Sequence, residues 1–361
     1  MPYVYCNDVN FIEKRYCFIF KNLIKCIIYF KISKIIDSNI ILIFHDVGIY
    51  IIAQKKCKIN SGTTIKRDVF CMFREILGKY GVEFVGAVPF SVCRVFAEDI
   101  ITRRGVGVSD IASAILFLVP YYYAEKEESN ISVYARAQDY HFFFEKLYAQ
   151  IIPELEKHYG ARFFGFADKS AINEVHAASC AGLGMIGDNG LIINEKYGSF
   201  VFIGEILTDL GTDELGYDVQ TSFAPSFCEH CHACRRACPM NDGVGCLSFV
   251  TQKKGELSEE EIALIKKYGS AWGCDICSEV CPHTKKAISE GNVTPIEFFR
   301  NDRIVRIDSD MINDMNKTDF RKRAFAWRAA ATGRRKRRVE PLSLQKRVRS
   351  LFTFVIGVTS K

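Results

Sequence analysis

The sequence predicts an α/β (α+β) domain followed by a small, cysteine-rich domain. Helical and strand patterns alternate between residues 63 and 220, and eight of the fifteen cysteines lie between Cys228 and Cys281. With 48% hydrophobic and 25% charged residues, the composition is that of a globular protein that can bury a core. We therefore expect four segments, residues 1–62, 63–220, 221–300 and 301–361.

The first segment, residues 1–62, is rich in Ile, Phe, Tyr and Lys but has no clean helical or strand repeat. Lysines such as Lys14, Lys21 and Lys34 interrupt its apolar runs before they reach the roughly 20 residues that span a bilayer. We expect no transmembrane helix, no cleavable signal and a cytoplasmic protein. The segment is predicted to be a poorly ordered extension, or not part of the native domain.

The first half of the α/β domain is predicted from apolar periodicity. A helix is expected over 65–80, strands over 82–88 and 114–120, and a long helix over 132–158. The long helix is predicted to bury one face because its apolar residues recur at helical spacing. These residues are Phe142, Phe143, Leu147, Ile151 and Leu155.

The second half of this domain begins with a short predicted strand over 162–166 and a helix over 171–180. Two apolar segments follow, 191–194 and 200–207, separated by the turn 195–198. Two short apolar runs on either side of a turn are typical of a β-hairpin. We therefore predict that the two segments pair with each other.

A glycine-rich loop carries Gly182, Gly184 and Gly187 in the spacing G-x-G-x-x-G. That motif indicates a dinucleotide site only where a strand precedes it and a helix follows. Here a predicted helix precedes it and a turn over 188–190 follows, so a nicotinamide site is not predicted. Glycines without side-chain bulk would instead let the backbone approach a large flat ligand or a neighbouring element.

The cysteine spacing is the strongest signal in the chain. Cys228, Cys231, Cys234 and Cys238 form a first run, C-x2-C-x2-C-x3-C-P, which is the bacterial ferredoxin spacing whose fourth cysteine ligates the other of two clusters. Cys274, Cys277 and Cys281 form a second run, C-x2-C-x3-C-P. The sequence therefore predicts a ferredoxin-like domain with two 4Fe-4S clusters. One cluster is assigned to Cys228, Cys231, Cys234 and Cys281, and the other to Cys238, Cys246, Cys274 and Cys277.

The cysteine segment is also compatible with a zinc site. Cysteine pairs of this spacing also bind zinc, but two interlocked runs that end in Cys-Pro favour clusters. His230, His232 and His283 lie in the same loops and are not expected to be ligands, since eight thiolates are present. Seven further cysteines show no paired spacing and are predicted to be unreactive thiols: Cys6, Cys17, Cys26, Cys57, Cys71, Cys93 and Cys180.

Two further local patterns are a helix cap and a basic run. Ser258 and Glu261 form a capping-box pattern, which predicts a helix between the two cysteine groups. Residues 320–361 carry thirteen Lys and Arg against one Glu, so the rest of the chain is acidic. Such a basic run suits an RNA partner, and a disordered basic tail is the equal alternative.

Several ordered blocks give a family resemblance from about residue 64 to 328. They are Tyr134-Ala-Arg-Ala-Gln-Asp-Tyr-His141, Asp168 with Glu174, Ala181-Gly-Leu-Gly-Met-Ile-Gly187, Gly198-Ser-Phe-Val-Phe-Ile-Gly-Glu-Ile-Leu-Thr-Asp209 and the cysteine runs. With these blocks in this order, the sequence resembles the epoxyqueuosine reductases. The family usually has Lys-His after the glycine loop, where this chain has Asp188 and Asn189.

The resemblance implies a cobalamin bound between an α/β domain, similar to nitroreductase-like and cobalamin-processing folds, and the ferredoxin-like domain. It implies reduction of the epoxide of epoxyqueuosine in tRNA to give queuosine. The clusters would pass electrons singly to the cobalt centre. A donor such as ferredoxin or flavodoxin, tRNA binding through the basic tail and a monomeric state are the corresponding expectations.

The resemblance also assigns residues. It makes Asp139 the proton donor, with a pKa raised in a dry pocket as a general acid requires. Asp168, Glu174 and the three loop glycines Gly182, Gly184 and Gly187 become cofactor contacts. His141 either orients Asp139 or lies on the helix surface. The three tyrosines 121–123 either line the pocket or, as we favour, pack in the fold.

Two other functions remain open from the sequence. The chain could be a corrinoid reductase of another substrate, similar in plan to reductive dehalogenases but without an export signal. It could also be an electron-transfer protein whose residues 64–220 form a docking domain. Corrinoid binding without conversion of modified tRNA would favour the first, and clusters without corrinoid affinity would favour the second.

Overall fold

The computed structural model describes residues 40–45, 48–53, 69–217, 223–240, 245–253 and 257–326. The chain divides into two compact units, Met1–Ile65 and Lys66–Lys361. In the first unit, strands β1 (Ile40–His45) and β2 (Gly48–Ala53) pair antiparallel, which the sequence pattern did not predict. The remaining expectations for residues 1–62, and those for the basic run after residue 326, lie outside the described residues.

The second unit mixes helices and strands throughout. Its elements are α1 (Val69–Gly78), β3 (Phe84–Pro89), α2 (Glu98–Thr102), β4 (Ser113–Pro120), α3 (Tyr140–Tyr159), β5 (Phe163–Phe166), α4 (Glu174–Cys180), β6 (Met185–Ile186), β7 (Ile192–Ile193), β8 (Val201–Thr208), β9 (Ser226–Phe227), α5 (Ala233–Ala237), α6 (Leu247–Gln252), α7 (Glu259–Tyr268), α8 (Ile276–Glu279), α9 (Pro282–Ser289), α10 (Glu297–Arg300), α11 (Ser309–Asp314) and α12 (Lys317–Arg321). None of the described helices is long and apolar enough to cross a membrane.

The core of this unit is a four-stranded antiparallel sheet in the order β3-β4-β8-β5. Every residue of the central strand β4 is buried, so both faces of the sheet are covered. Ile115, Phe117 and Val119 face the cluster that includes α1 and α3, while Leu116 and Leu118 face the cluster that includes α4. The alternation of side chains along a strand thus gives β4 two apolar faces.

Most predicted elements of this region are confirmed with shifted ends. The strands expected over 82–88, 114–120 and 162–166 are β3, β4 and β5, and the helix expected over 171–180 is α4. The helix expected over 65–80 is α1, although residues 65–68 lie outside the described part. Helix α7 begins with the predicted capping box, in which Ser258 and Glu261 each accept a hydrogen bond from the other's backbone N–H.

The prediction for the long helix was wrong at its start. Helix α3 begins at Tyr140, eight residues later than expected, because the Asp139 carboxylate accepts from the backbone N–H of His141 and caps it. Within the preceding residues only Val133–Ala135 form a short 3-10 turn. The buried face of α3 contains Phe143 and Phe144, whereas Phe142 is 43% exposed.

The predicted hairpin of residues 191–207 was also wrong. Strand β8 is hydrogen-bonded to β4 on one edge and β5 on the other, so it has no free edge for β7. Strand β7 pairs instead with β6 in a separate three-stranded sheet with β9. Only a single bridge between Asn194 and Gly198 closes the turn between them.

The cysteine-rich region, residues 226–289, contacts the sheet domain through buried polar groups. Asp275 accepts hydrogen bonds from the Ser132 hydroxyl at 2.6 Å and from Val133 N–H at 2.7 Å. Gly198 lies in the left-handed region, with φ of 59°, and a Cβ there would lie 2.6 Å from the Cα of Thr284. Close backbone approach at this glycine therefore places α9 against the start of β8.

Candidate active site

A cavity of about 210 Å³ opens at one end of the main sheet. Strands β4 and β8 are antiparallel, with Pro120 opposite Val201, so Tyr121 at the end of one strand lies beside the start of the other. The connection between β5 and α4 reaches the same end and contributes Asp168, and Glu174 is the first residue of α4. The walls are Tyr121, Tyr134, Tyr140, Phe144, Asp168, Glu174, Val175, Leu191, Ile192, Ser199, Val201, Phe202 and Ile203.

The aromatic wall is built by stacked rings. Tyr140 stacks on Phe202 with ring centroids 4.4 Å apart, and Tyr121 contacts the same Phe202 at 4.3 Å. Burial raises the pKa of the Tyr121, Tyr134 and Tyr140 hydroxyls, so all three remain neutral. The cavity therefore offers flat apolar faces together with neutral hydroxyl groups.

The expectation that the tyrosines at 121–123 only pack is wrong for one of them. Tyr121 lines the cavity, whereas Tyr122 stacks on Phe200 with centroids 5.1 Å apart. The ring of Tyr123 lies under the guanidinium groups of Arg300 and Arg303. Tyr122 and Tyr123 thus have the packing role that we expect from the sequence.

Asp139 is buried behind this cavity, with 3% of its side chain exposed. As the cap of α3 it accepts from His141 N–H, and its Oδ1 also lies 2.7 Å from His141 Nδ1. On the other side of the ring, His141 Nε2 lies 3.8 Å from Asp168 Oδ2. His141 therefore connects the buried Asp139 to a carboxylate of the cavity wall, and is not a helix-surface residue.

The two acids of the cavity wall have unusual environments. Asp168 has a φ of 66°, a left-handed conformation that a residue with a side chain rarely adopts. Oε2 of Glu174 is buried and has no hydrogen-bond partner in the part of the chain that the structure describes. Burial, with a contribution from the Asp168 charge, raises the pKa of Glu174 to about 7.

A further acid, Glu205, was missed by sequence reasoning. It lies on β8, fully buried, and its Oε2 accepts a hydrogen bond from the Ser170 hydroxyl at 2.6 Å. Burial raises the pKa of Glu205 to about 8, the Ser170 bond lowers it, and the Glu174 charge raises it further. The available signal was a single acidic residue within an apolar strand, Phe-Val-Phe-Ile-Gly-Glu-Ile-Leu.

The glycine loop does not line the cavity. Helix α4 precedes it and β6 lies inside it, so the absence of a strand-loop-helix unit is confirmed. A Cβ at Gly184 would lie 2.5 Å from Ile193 O, and Gly182 has a φ of 75°. Strand β6 pairs in parallel with β9, and Cys228 N–H donates to Ile186 O at 3.0 Å. The loop thus joins the sheet domain to the cysteine-rich region.

All eight cysteines of the two predicted cluster sets are free thiols. Burial raises the pKa of Cys234, and a nearby Cys281 thiolate would raise it further. Burial also raises the pKa of Cys277, and raises that of Cys274 to about 11. A negative charge on Cys246 raises both pKa values further. These thiols are therefore close enough for their charges to influence one another although they lie far apart along the chain.

Comparison with known proteins agrees with these features. No family model matches the sequence. An epoxyqueuosine reductase of Lactococcus garvieae is 33% identical over 173 residues, which cover 45% of this chain and 47% of that protein. One of Gloeobacter violaceus is 29% identical over 255 residues, which cover 66% of this chain and 76% of that protein. The chain is thus similar to epoxyqueuosine reductases over 47% and 76% of the lengths of these two relatives.

A solved structure gives the same relationship at the level of the fold. An epoxyqueuosine reductase crystallised with an epoxyqueuosine-modified tRNA stem loop aligns with a TM-score of 0.58 at 18% identity. The alignment covers 81% of this chain and 83% of that one. It confirms the mixed α/β fold. The chain spans about half the length of the Lactococcus relative.

The donor groups fit the cofactors that the sequence predicted. Eight free thiols in two sets match the chemistry of iron-sulfur ligation. Asn189 Nδ2 is buried, and a hydrogen bond from the Asn189 side chain to Cys277 lowers the pKa of that thiol against the larger effect of burial, as expected of an amide beside a ligand sulfur. The aromatic wall of the cavity suits the face of a flat macrocycle, and the unpaired Glu174 oxygen would be available as a hydrogen-bond acceptor for such a cofactor.

The other residues singled out from the sequence are three histidines and seven cysteines. His230 and His232 contact Asp188 through Nδ1, and His283 lies in the first turn of α9. Of the seven unpaired cysteines, Cys93 and Cys180 are free thiols whose pKa is raised by burial, to about 12 for Cys93. This supports their predicted low reactivity. The side chains of the other five lie outside the described residues.

Proposed function

We propose that this protein is an oxidoreductase of the epoxyqueuosine reductase type, which reduces the epoxide of epoxyqueuosine in tRNA to queuosine. One observation carries the proposal: an aromatic cavity with acidic groups adjoins a region that holds two interleaved sets of free cysteines. The names of the Lactococcus and Gloeobacter relatives support the same activity.

The proposed architecture has a catalytic domain over 63–220, similar to nitroreductase-like folds, and a ferredoxin-like domain over 221–300. In the second domain, two 4Fe-4S clusters would be held by the two cysteine sets. Cys228, Cys231, Cys234 and Cys281 hold one, and Cys238, Cys246, Cys274 and Cys277 hold the other. Cobalamin, bound at the cavity, would supply a strongly reducing centre that the clusters recharge one electron at a time.

The reaction sets what the protein must provide. Removing the epoxide oxygen breaks two C–O bonds, forms a C=C bond, consumes two electrons and two protons, and releases water. Asp139 is proposed as a proton donor because its buried carboxyl is connected through His141 to the cavity acid Asp168. Asp168 and Glu174 would contact the cofactor from the cavity wall.

Other residues would prepare the site. The stacked rings of Tyr121, Tyr140 and Phe202 would exclude water, which strengthens hydrogen bonds to developing charge. The neutral tyrosine hydroxyls would donate hydrogen bonds without adding charge. Gly182, Gly184 and Gly187 would act on the cofactor indirectly, since they form the joint to the cysteine-rich region.

The proposed partners follow from the reaction. The solved relative was crystallised with a modified tRNA stem loop, which supports tRNA as the substrate carrier. The basic residues after 320 would contact its phosphates. A ferredoxin or flavodoxin would supply electrons, and the protein would act as a monomer.

The test is an anaerobic assay with protein reconstituted with iron, sulfide and cobalamin. An epoxyqueuosine-modified anticodon stem loop and a low-potential reductant are added, and the nucleosides are identified by mass spectrometry. Queuosine is expected to form with the cobalamin-loaded protein and not without cobalamin. A protein that binds corrinoid and both clusters but leaves the stem loop unchanged would refute the proposed substrate.

A further inference from the structure

Two histidines in the first cysteine loop have a backbone conformation that favours glycine. His230 has a φ of 54° and His232 a φ of 58°, both in the left-handed region. A side chain with a Cβ is strained there, and such residues persist only where surrounding contacts hold them. The two lie between Cys228 and Cys234, so the loop that carries three cysteines turns left-handed twice.

One buried carboxylate contacts both histidines. Asp188 Oδ1 lies 2.7 Å from His230 Nδ1, and its Oδ2 lies 2.8 Å from His232 Nδ1. Only 6% of the Asp188 side chain is exposed, whereas the two imidazoles are more than half exposed. Because both nitrogens face carboxylate oxygens, we assign Nδ1 as the protonated nitrogen of each ring. Arg235 approaches the same carboxylate at 3.9 Å.

Asp188 is itself fixed to the sheet domain. It follows Gly187 in the turn between β6 and β7, and β6 pairs with β9 immediately before Cys228. The Cys228 N–H donates to Ile186 O at 3.0 Å. The loop is thus held at its start by the backbone and along its length by the two oxygens of one side chain.

A mononuclear metal site is the alternative use of this group. Asp188, Cys228 and His230 offer ligand atoms within 4.8 Å of one another. However, both Asp188 oxygens already accept from imidazole N–H groups, and Cys228 belongs to the first cysteine set. A positioning role uses every contact that is present, whereas a metal would require the contact to His230 to be broken.

We propose that Asp188 is the positioning residue of the first cluster loop, holding His230 and His232 in the left-handed conformation that turns Cys228, Cys231 and Cys234 toward one cluster. This inference rests on the proposed function in that the loop must bind a 4Fe-4S cluster. It assigns to Asp188 a role in cluster assembly rather than in the reaction.

The test uses the full chain, reconstituted anaerobically with iron and sulfide. Asp188→Ala removes both acceptors, so bound iron is expected to fall from about eight to about four per chain, with loss of one of two reduced-cluster EPR signals. The triple variant Asp188→Ala, His230→Gly, His232→Gly is expected to regain both, because glycine adopts the left-handed conformation without an anchor. Asp99→Asn, a surface carboxylate paired with Arg103, is the matched control.

The outcomes separate this inference from the proposed function. Wild-type protein without iron would refute the proposed clusters, whatever Asp188 does. Wild-type iron content and EPR signals in Asp188→Ala would overturn the positioning role. Failure of the two glycines to restore the lost signal would also overturn it, since the loop would then need the carboxylate for another reason. Loss of a ninth, non-cluster metal ion on mutation would favour the mononuclear site and overturn the inference.

Discussion

Asp139 Oδ1 lies 2.7 Å from His141 Nδ1, while the backbone N–H of the same histidine donates to the same oxygen. One carboxylate thus caps helix α3 and fixes the imidazole beside it. Asp139 is buried and His141 is 29% exposed, so the two side chains together connect the protein interior with the cavity wall. Substitution of either residue is therefore expected to affect the reaction.

Asp139→Asn is expected to lower the rate of epoxide reduction by about 10²- to 10⁴-fold, the usual contribution of a general acid. The amide oxygen can still accept from His141 N–H, so the helix cap and the cobalamin content should be retained. The assay is single-turnover nucleoside analysis beside the visible spectrum. Undiminished turnover in the cobalamin-loaded variant would remove Asp139 from the reaction.

His141→Gln is expected to slow turnover by about tenfold, because one hydrogen bond to Asp139 is worth on the order of 1 kcal/mol. His158→Gln, at the exposed far end of α3, is the control and should be neutral. The measurement is the rate of reduction under saturating reductant. Equal rates for both variants would mean that the imidazole has no part in orienting the acid.

Glu205 is expected to make the protein less stable as pH rises. Its folded-state pKa is raised to about 8, so between about pH 4.5 and 8 the folded state keeps a proton that the unfolded state has lost. The free energy of unfolding therefore falls across this window, by on the order of 5 kcal/mol, and levels off above it. Urea unfolding of apoprotein at pH 5 and pH 8 measures the change.

Glu205→Gln should reduce that dependence, leaving the part below about pH 7 that Glu174 contributes, and should stabilise the protein at pH 8 relative to wild type. Glu83→Gln, a surface acid paired with Lys196, is the matched control and should leave the slope unchanged. A fall in stability between pH 7 and pH 8 that is the same in Glu205→Gln as in wild type would show that this carboxyl is not the group that titrates there.

Gly198→Ala is expected to destabilise the contact between the sheet domain and the cysteine-rich region. The new methyl group would meet the Thr284 backbone, and the left-handed φ adds strain, together costing on the order of 3 kcal/mol. Gly190→Ala is the control, since Gly190 also has a positive φ, of 77°, but no atom lies within 4 Å of an added Cβ. Thermal unfolding and cluster content should change more in the first variant; equal losses would assign the effect to strain alone.

Sequence patterns predicted the structural features that depend on residues close together in the sequence. The Ser258 capping box and the apolar strand over 114–120 need only neighbours in sequence, and both are present. The cysteine spacing predicted two sets of cluster ligands, and the assignment of each cysteine to its set stays a prediction. Short-range patterns sufficed here because ligand loops and helix caps are closed by nearby residues.

The features that were missed depend on partners far along the chain. The pairing of β8 with β4 and β5 excludes the expected hairpin, and no pattern within residues 191–207 contains that information. The contact of Asp188 with His230 spans forty-two residues. Glu205 is unusual because it is buried within the fold, where the Ser170 side chain is its hydrogen-bond donor. Tertiary contacts of this kind override local preference.

The central claim is that eight cysteines hold two 4Fe-4S clusters, and elemental analysis of the anaerobically reconstituted chain tests it most directly. The account predicts about eight iron and eight acid-labile sulfide per chain, falling by about half when Cys277 is replaced by Ala. A colourless protein, or one that contains zinc in place of iron and sulfide, would contradict it.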